Sequence, residues 1–331
     1  MPVHEANVEV LPETSIDGPG FSSLSDYVPN PQTYPPGTFP ATALAWTGTD
    51  PNHSLNVIES QDGFDYSKNK VTLQESSDSH PSVLLFANTT SGTLGPNLVV
   101  LAWTGTDSNH SLNVMFDVYG VRQKITLSDN SAFSPALAYF KGQVWLAWTG
   151  TDSGLSLNVM AMGSHGVTPG HKTTLRGTGF SARGGPSLRA DTRDNQLLLS
   201  WTQTAAPLYI DLAQSSDGVV WATSFSPPPP QTSGSGPDVL AVSDSIPVGL
   251  PTDYWAWTGT DSLNSLNIAY TSTLSSWPAP IVTLNEEGLG SPALGYSNKL
   301  GPGQPNTVRI LLAWTGTDTA HHLNVAIIQV G

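Results

Sequence analysis

The chain contains no cysteine, which excludes disulfides, zinc-thiolate centres and cysteine nucleophiles and leaves the redox compartment unread. Charge is scarce as well. Only 11% of residues are charged, and 26 acidic side chains against 12 basic ones give a formal net charge of −14. Such a surface repels phosphate backbones and anionic lipid headgroups, so nucleic acid is not an expected partner. No apolar run approaches the ~18 residues that would suggest a membrane-spanning helix, and no membrane span is expected. The first residues, MPVHEANVEV, lack the basic and apolar regions of a signal peptide. What is abundant points away from helix: 31 glycines and 27 prolines leave little of the Ala/Glu/Lys/Leu mixture that helices favour. The composition reads as all-β. At 331 residues the chain can bury a large core, and closed all-β architectures of this size commonly form one unit.

The organisation follows from an internal repeat. LAWTGTDSNHSLNV (101–114) has five relatives, whose tryptophans stand at Trp46, Trp148, Trp201, Trp257 and Trp314 beside its own Trp103. Ten residues beyond each lies Asn56, Asn113, Asn158, Asp211, Asn267 or Asn324, so even the divergent copy LSWTQTAAPLYIDL keeps the length of the unit. Spacings of roughly 45 to 57 residues between tryptophans suit a four-stranded blade.

The copy at 134–175 places the strands. SPALAYF and QVWLAWT, joined by Lys141-Gly142, read as a hairpin of strands A and B. LNVMAMGS reads as strand C, and KTTL as a short strand D, with KVTL (70–73), KITL (124–127) and IVTL (281–284) as its counterparts. Proline announces strand A at Pro19, Pro81, Pro135, Pro186, Pro237 and Pro292, a position where strands tolerate it. The final copy stops after strand C, while NVEVLPETS at 7–15 matches KVTLQESS at 70–77. The expected fold is therefore one domain over 1–331, a six-bladed β-propeller of four-stranded antiparallel blades centred on the six tryptophans. The N-terminal strand 7–11 completes the last blade and leaves no open edge.

A strand B ending in Trp-Thr-Gly, a strand C reading LNV and a C-to-D turn with Ser, Asp and Gly resemble the Asp-box propellers of the sialidase-like (BNR-repeat) superfamily. The box usually reads Ser, any, Asp, any, Gly, any, any, Trp. Here SSDGVVW (215–221) is one residue shorter, SQDGFDY (60–66) is a weaker relative, and the other repeats lack it. The resemblance implies a structural role for Asp217 and Trp221. It also implies, for the catalytic members, an arginine cluster, a tyrosine nucleophile with a glutamate partner and an acid/base aspartate. The arginines do not follow that pattern: four of six (Arg176, Arg183, Arg189, Arg193) fall at one repeat junction, none lies in the first repeat, and the Arg-Ile-Pro signature is missing. Glu286-Glu287 and Glu75 with Asp78 are the nearest carboxylate pairs for a glycosidase. The noncatalytic, lectin-like members are the better match.

In a propeller the B-to-C and D-to-A loops emerge on one face, the usual ligand face. TGTD sits at the B-to-C crossing, so Asp50, Asp107, Asp152, Asp261 and Asp318 should ring that face, with Asn52, His53, Asn109, His110, Asn264 and His321 beside them. Repeat four has Gln203 to Ala206 instead. Short rigid donors and acceptors of this kind suit sugar hydroxyls. Two roles stay open for the carboxylates: ligand contacts or caps of their own turns. Gly48 and its counterparts would allow a positive φ or a bulge, the tryptophans would be core, and Asn56 and its kin would hydrogen-bond between blades. SPPPPQTSGSG (226–236) reads as a stiff connector followed by a flexible stretch on the same face. No cofactor is expected; Ca²⁺ suits Asp, Thr and carbonyl oxygens, but no spaced acidic loop occurs. The expectation is a multivalent lectin or adhesin module binding glycans or glycoconjugates, extracellular or at a cell surface. The alternatives are a sialidase-like hydrolase and a noncatalytic scaffold or toxin-complex subunit with a protein partner.

Overall fold

The computed structural model describes residues 3–23, 42–60, 63, 65–68, 70–87, 97–118, 121–164, 167–176, 179–225, 231–242, 252–271, 281–297 and 309–330. Among them every regular element is a strand, as the Gly- and Pro-rich, β-branched composition requires. β1 (Val3–Thr14) precedes the first repeat, which forms β2 (Gly20–Ser23), β3 (Thr42–Thr47), β4 (Ser54–Ser60) and β5 (Val71–Ser76). The second forms β6 (Ser82–Ala87), β7 (Asn97–Thr104), β8 (Ser111–Val118) and β9 (Val121–Asn130). The third contributes β10 (Ala136–Phe140), β11 (Gln143–Thr149), β12 (Leu157–Ala161) and β13 (Lys172–Thr174). The fourth has β14 (Ser187–Asp191), β15 (Gln196–Thr202), β16 (Ile210–Ser215) and β17 (Ala222–Phe225). The last two repeats comprise β18 (Asp238–Ala241), β19 (Asp253–Thr258), β20 (Ser265–Thr271), β21 (Ile281–Ser297), β22 (Arg309–Gly316) and β23 (His322–Val330).

Repeats one to four are four-stranded antiparallel sheets in chain order. Repeats five and six run together into seven strands, because the segment between IVTL and Pro292 stays extended. β21 pairs with β20 at its start and with β22 from Gly288 onward, where two separate strands were expected. The outer partner of β23 is β1, paired from Val3 opposite Val330 to Thr14 opposite His322 with register shifts between Ala6 and Glu9 and between Val10 and Thr14. This strand is longer than the expected 7–11. At the first of these shifts Asn7 takes a φ of 54°.

The six repeat tryptophans are buried, at 1% exposure or less, because LAW and its equivalents alternate between two faces that are both covered. Each of the apolar clusters draws on two repeats. One joins Ala45 and Leu55 of the first to Leu85 and Trp103 of the second. Another joins Leu44 and Trp46 of the first to Leu311 and Val325 of the sixth, with Leu11 of β1 among them. Gly295 lies so close to Phe21 that a Cβ there would sit 1.6 Å from its ring, which fixes a glycine at that contact.

The segments leading into each first strand tie neighbouring repeats together by one recurring scheme. The threonine after each tryptophan donates its hydroxyl to a carbonyl of the following connector: Thr47 to Ser79, Thr104 to Phe133, Thr149 to Gly184, Thr202 to Ser235, Thr258 to Gly290 and Thr315 to Asp17. In the other direction, Ser15 and Ser77 donate their hydroxyls to the carbonyls of Thr47 and Thr104. Ser233 does the same to Thr258, so Gln231–Gly236 is a bonded connector like the others, not the flexible stretch expected; residues 226–230 lie outside the described set. At the centre, Arg189 donates to the carbonyls of Phe21, Val239 and Leu294 and pairs with Asp238, all partly or fully buried. One guanidinium therefore touches repeats one, five and six from repeat four.

Candidate functional site: the repeated loops and the clefts beside them

Each TGTD loop is built around its aspartate. Asp152 Oδ1 accepts the Gly154 amide (3.0 Å) and the Ser156 hydroxyl (3.0 Å), while Oδ2 accepts the Ser156 amide (3.2 Å). Asp50, Asp107 and Asp261 repeat this pattern with Ser54, Ser111 and Ser265, and Asp318 does so with His322 in place of serine. Partial desolvation pushes these carboxyls up, but the serine hydroxyl and amide donors outweigh it, and at Asp318 two amides and His322 do. All five sit below the usual aspartate value. The carboxylates close their own turns; Asp107, Asp152, Asp261 and Asp318 are exposed and Asp50 is half-buried.

The glycine of the motif answers to the same carboxylate. A Cβ at Gly48, Gly105, Gly150, Gly259 or Gly316 would come within 2.6–2.9 Å of the Asp Oδ2 and about as near the Asn56-type amide. Of the two roles expected for these glycines, a positive φ or a bulge, the positive φ is not found at any of them; the space beside the carboxylate requires glycine there. The left-handed residue is instead the third after the aspartate: His53, His110, Leu155, Asn264 and His321, with Leu208 in repeat four, at φ of 48–64°. This conformation sends the carbonyl to the next connector, as in His53 to the Ser77 amide and His321 to the Ser15 amide.

Repeat four changes the set together. Gln203 replaces the glycine, the aspartate is gone, and Asp211 replaces the asparagine and accepts from Gln203 Nε2 at 2.6 Å. The Gln side chain fills the room the carboxylate takes elsewhere. The other Asn residues do not bond between repeats as expected. Asn56 Nδ2 donates to Ser54 O and its Oδ1 accepts from Thr72 on β5, both within one sheet, because the Trp46–Asn56 register turns the amide toward its own outer strand.

The remaining expected residues differ in availability. Asn52 and Asn109 are exposed, as are His53 and Asn264. His110 Nδ1 bonds Asp78 at 2.7 Å, and His321 is half-buried. Among the carboxylate pairs considered for hydrolysis, Glu75 pairs with Lys124, Asp78 with His110, and Glu287 accepts from Thr317. A Ser134–His80–Asp17 grouping is not a relay: Ser134 Oγ (2.9 Å) and Asp17 Oδ2 (3.0 Å) share one imidazole nitrogen, whereas a base must face nucleophile and orienting acid through opposite nitrogens. The arginines disperse: Arg189 lies at the centre, and Arg193 pairs with Asp191 and Asp253. Among the described residues no group of three His, Cys, Asp or Glu side chains is arranged to hold a metal.

Sequence reasoning missed a second repeated group. Lys70, Lys124 and Lys172, at equivalent positions before or within the outer strands, place their ammonium groups 5.2–5.4 Å from the ring centres of Trp46, Trp103 and Trp148. Each is paired with an acid from the preceding outer strand: Glu13, Glu75 and Asp129. The signal was present as a Lys-x-Thr-Leu strand with an acid five residues after the lysine, broken at Gly177 in repeat three. There Phe180 covers the next tryptophan instead, stacking on Trp201 at 5.5 Å. Beside the third group, a cleft of about 770 Å³ is lined by Asp129, Trp148, Asp152, Asn158, Lys172 and Arg176 among others. This volume lies within the usual range of ligand pockets. It joins a TGTD loop to a lysine-acid pair.

The two partial boxes share one turn. Ser215 Oγ accepts the Gly218 amide and Trp221 Nε1 donates to Gly218 O, while Asp217 Oδ1 accepts the amides of Val219 and Val220. In the first repeat Ser60 Oγ accepts the Gly63 amide, and Tyr66 takes the place of Trp221. Asp62 lies outside the described residues.

No protein-family profile matches this chain, and no curated protein does. Solved structures do match it in fold. A Dyadobacter fermentans protein of unknown function aligns over 100% of both chains at 12% identity and a TM-score of 0.63. A fungal fucose-recognising lectin from Aleuria aurantia, described as a six-bladed β-propeller, aligns over 98% of this chain and 96% of its own at 11% identity and 0.60. A subtype N10 neuraminidase-like protein from a little yellow-shouldered bat isolate covers 99% and 100% at 12% identity and 0.54. At these identities the likeness is one of fold: the chain is all-β, with several four-stranded antiparallel sheets, and a lectin of propeller fold and neuraminidase-like proteins are among its structural neighbours.

Proposed function

We propose that this chain is a noncatalytic, multivalent carbohydrate-binding protein: a single six-bladed β-propeller domain, closed by pairing of residues 7–11 with the last repeat. It binds glycans through the face that carries the TGTD loops. The observation that carries this reading is recurrence. Near-identical loops, each built on a carboxylate that closes its own turn and, in the first, second and fifth repeats, carrying an exposed Asn or His, recur along the chain, with Lys-acid pairs at three successive junctions. A single active site has no need of such copies, whereas weak sites in parallel gain strength on a clustered glycan surface. The contacting residues are Asp50, Asn52, His53, Asp107, Asn109, His110, Asp152, Asp261, Asn264, Asp318 and His321, with the three lysines added. The buried tryptophans are supports, not stacking platforms. Action outside the cell or at its surface fits such a ligand. The fold likeness to a fungal lectin supports the reading. A glycan array paired with a released-sugar assay tests it: retention on dense glycans without product is expected, and retention on none overturns it. Product release would favour a hydrolase, and capture of a protein partner unaffected by Asp107→Ala and Asp152→Ala would favour a scaffold.

A further inference from the structure

We infer that the cleft of the third repeat takes an acidic sugar, a uronate or another carboxylated saccharide; this rests on the glycan reading above. The outer strands align as Lys70 with Gln74, Lys124 with Ser128 and Lys172 with Arg176, so only the third adds a second cation to the repeated group. Both carboxylates lining this cleft are already engaged. Asp129 is held by Lys172, and Asp152 by the donors of its own turn. Arg176 is exposed and lines the same cleft, and no hydrogen bond or ion pair to it exists among the described residues. A guanidinium with no acid of its own, opening on a cavity of about 770 Å³, is arranged for a carboxylate that arrives with the ligand. The Asn158 amide and Thr174 hydroxyl, bonded to each other at 2.7 Å, line the same cleft and offer polar groups to sugar hydroxyls; Asn56 with Thr72 and Asn113 with Thr126 form the same pair.

The test uses matched methyl glycosides, glucoside against glucuronide and galactoside against galacturonide, titrated into the full chain and followed by calorimetry and amide NMR. At least one uronide should bind more tightly than its neutral partner, by about tenfold or more at low salt, with the preference shrinking as salt rises. Its strongest shifts should fall on 150–156 and 172–176. Arg176→Gln, a surface change, should abolish the preference and leave neutral binding intact. Asp129→Asn should strengthen uronide binding, because Lys172 then loses its competing acid. Neutral glycosides binding as well as or better than both uronides, or a preference that survives Arg176→Gln, overturns this inference alone. No binding by any of the four glycosides, together with an empty array, overturns it and the glycan reading together.

Discussion

Replacing Gly150 by alanine tests why the loop motif has the composition it has. The added Cβ would meet Asp152 Oδ2 at 2.7 Å and Asn158 Nδ2 at 3.1 Å, with Ser156 O at 3.4 Å. The carboxylate is the group free to swing away, and in doing so it abandons the Gly154 amide and the Ser156 amide and hydroxyl. Net hydrogen-bond contributions run about 0.5–1.5 kcal/mol each, toward the low end in an exposed turn, so the loss comes to ~1–2 kcal/mol. Asp152→Ala removes the same bonds and costs about the same. The double variant has no carboxylate to collide with, so it should cost ~1–2 kcal/mol rather than the sum, a coupling of roughly 1 kcal/mol or more between neighbouring sites. Equilibrium urea unfolding of the four proteins, followed by tryptophan fluorescence, measures the cycle. Strict additivity would show that the glycine answers to something other than the aspartate and would refute the shared account of all five loops.

Arg189→Met should destabilise by roughly 3–5 kcal/mol, because Asp238 is left as a buried, unpaired charge at the centre; unfolding that stays within 1 kcal/mol of the parent by urea titration would contradict this. Asp211→Asn, which restores the residue of the other repeats, should raise the melting temperature at neutral pH. Burial holds the Asp211 carboxyl above its ordinary value and opposes the charged form, despite the Gln203 bond. The five loop aspartates run the other way. Their folded-state values are depressed, so their stabilisation is complete above the unfolded value near pH ~4 and is lost as pH falls through the folded values. Replacing them with Asn should flatten the decline in stability as pH falls below about 4 in acid-urea titrations. Deleting residues 1–12 strips β23 of its partner and removes Leu11 from the cluster that joins the first and last repeats. A fall of many degrees in melting temperature is expected, and an unchanged melt would refute closure by this strand.

Much of the architecture was legible because it repeats. The Trp-to-Asn interval, the prolines before each first strand and the match between NVEVLPETS and KVTLQESS located the sheets and the pairing of β1 with β23. The local chemistry was less legible. A glycine can be required by its φ or by a neighbour's volume, and only the position of Asp152 Oδ2 tells which applies at Gly150. Likewise Asn56 could reach either face until its register with Trp46 and Thr72 was set. The lysines were missed for a related reason: their partners are neither near in sequence nor in the same repeat. Glu13 and Lys70 meet only when the outer strands of the last and first repeats lie side by side.

Counting bound sugar per chain tests the central claim most directly. A soluble monovalent glycoside chosen from the array hits should bind at more than one equivalent per chain in calorimetry. The same glycan displayed densely on a surface should retain the protein at least a hundredfold more tightly than the soluble affinity implies. One equivalent with no gain on the dense surface would contradict a multivalent binder and leave the repetition of the loops as a matter of folding alone.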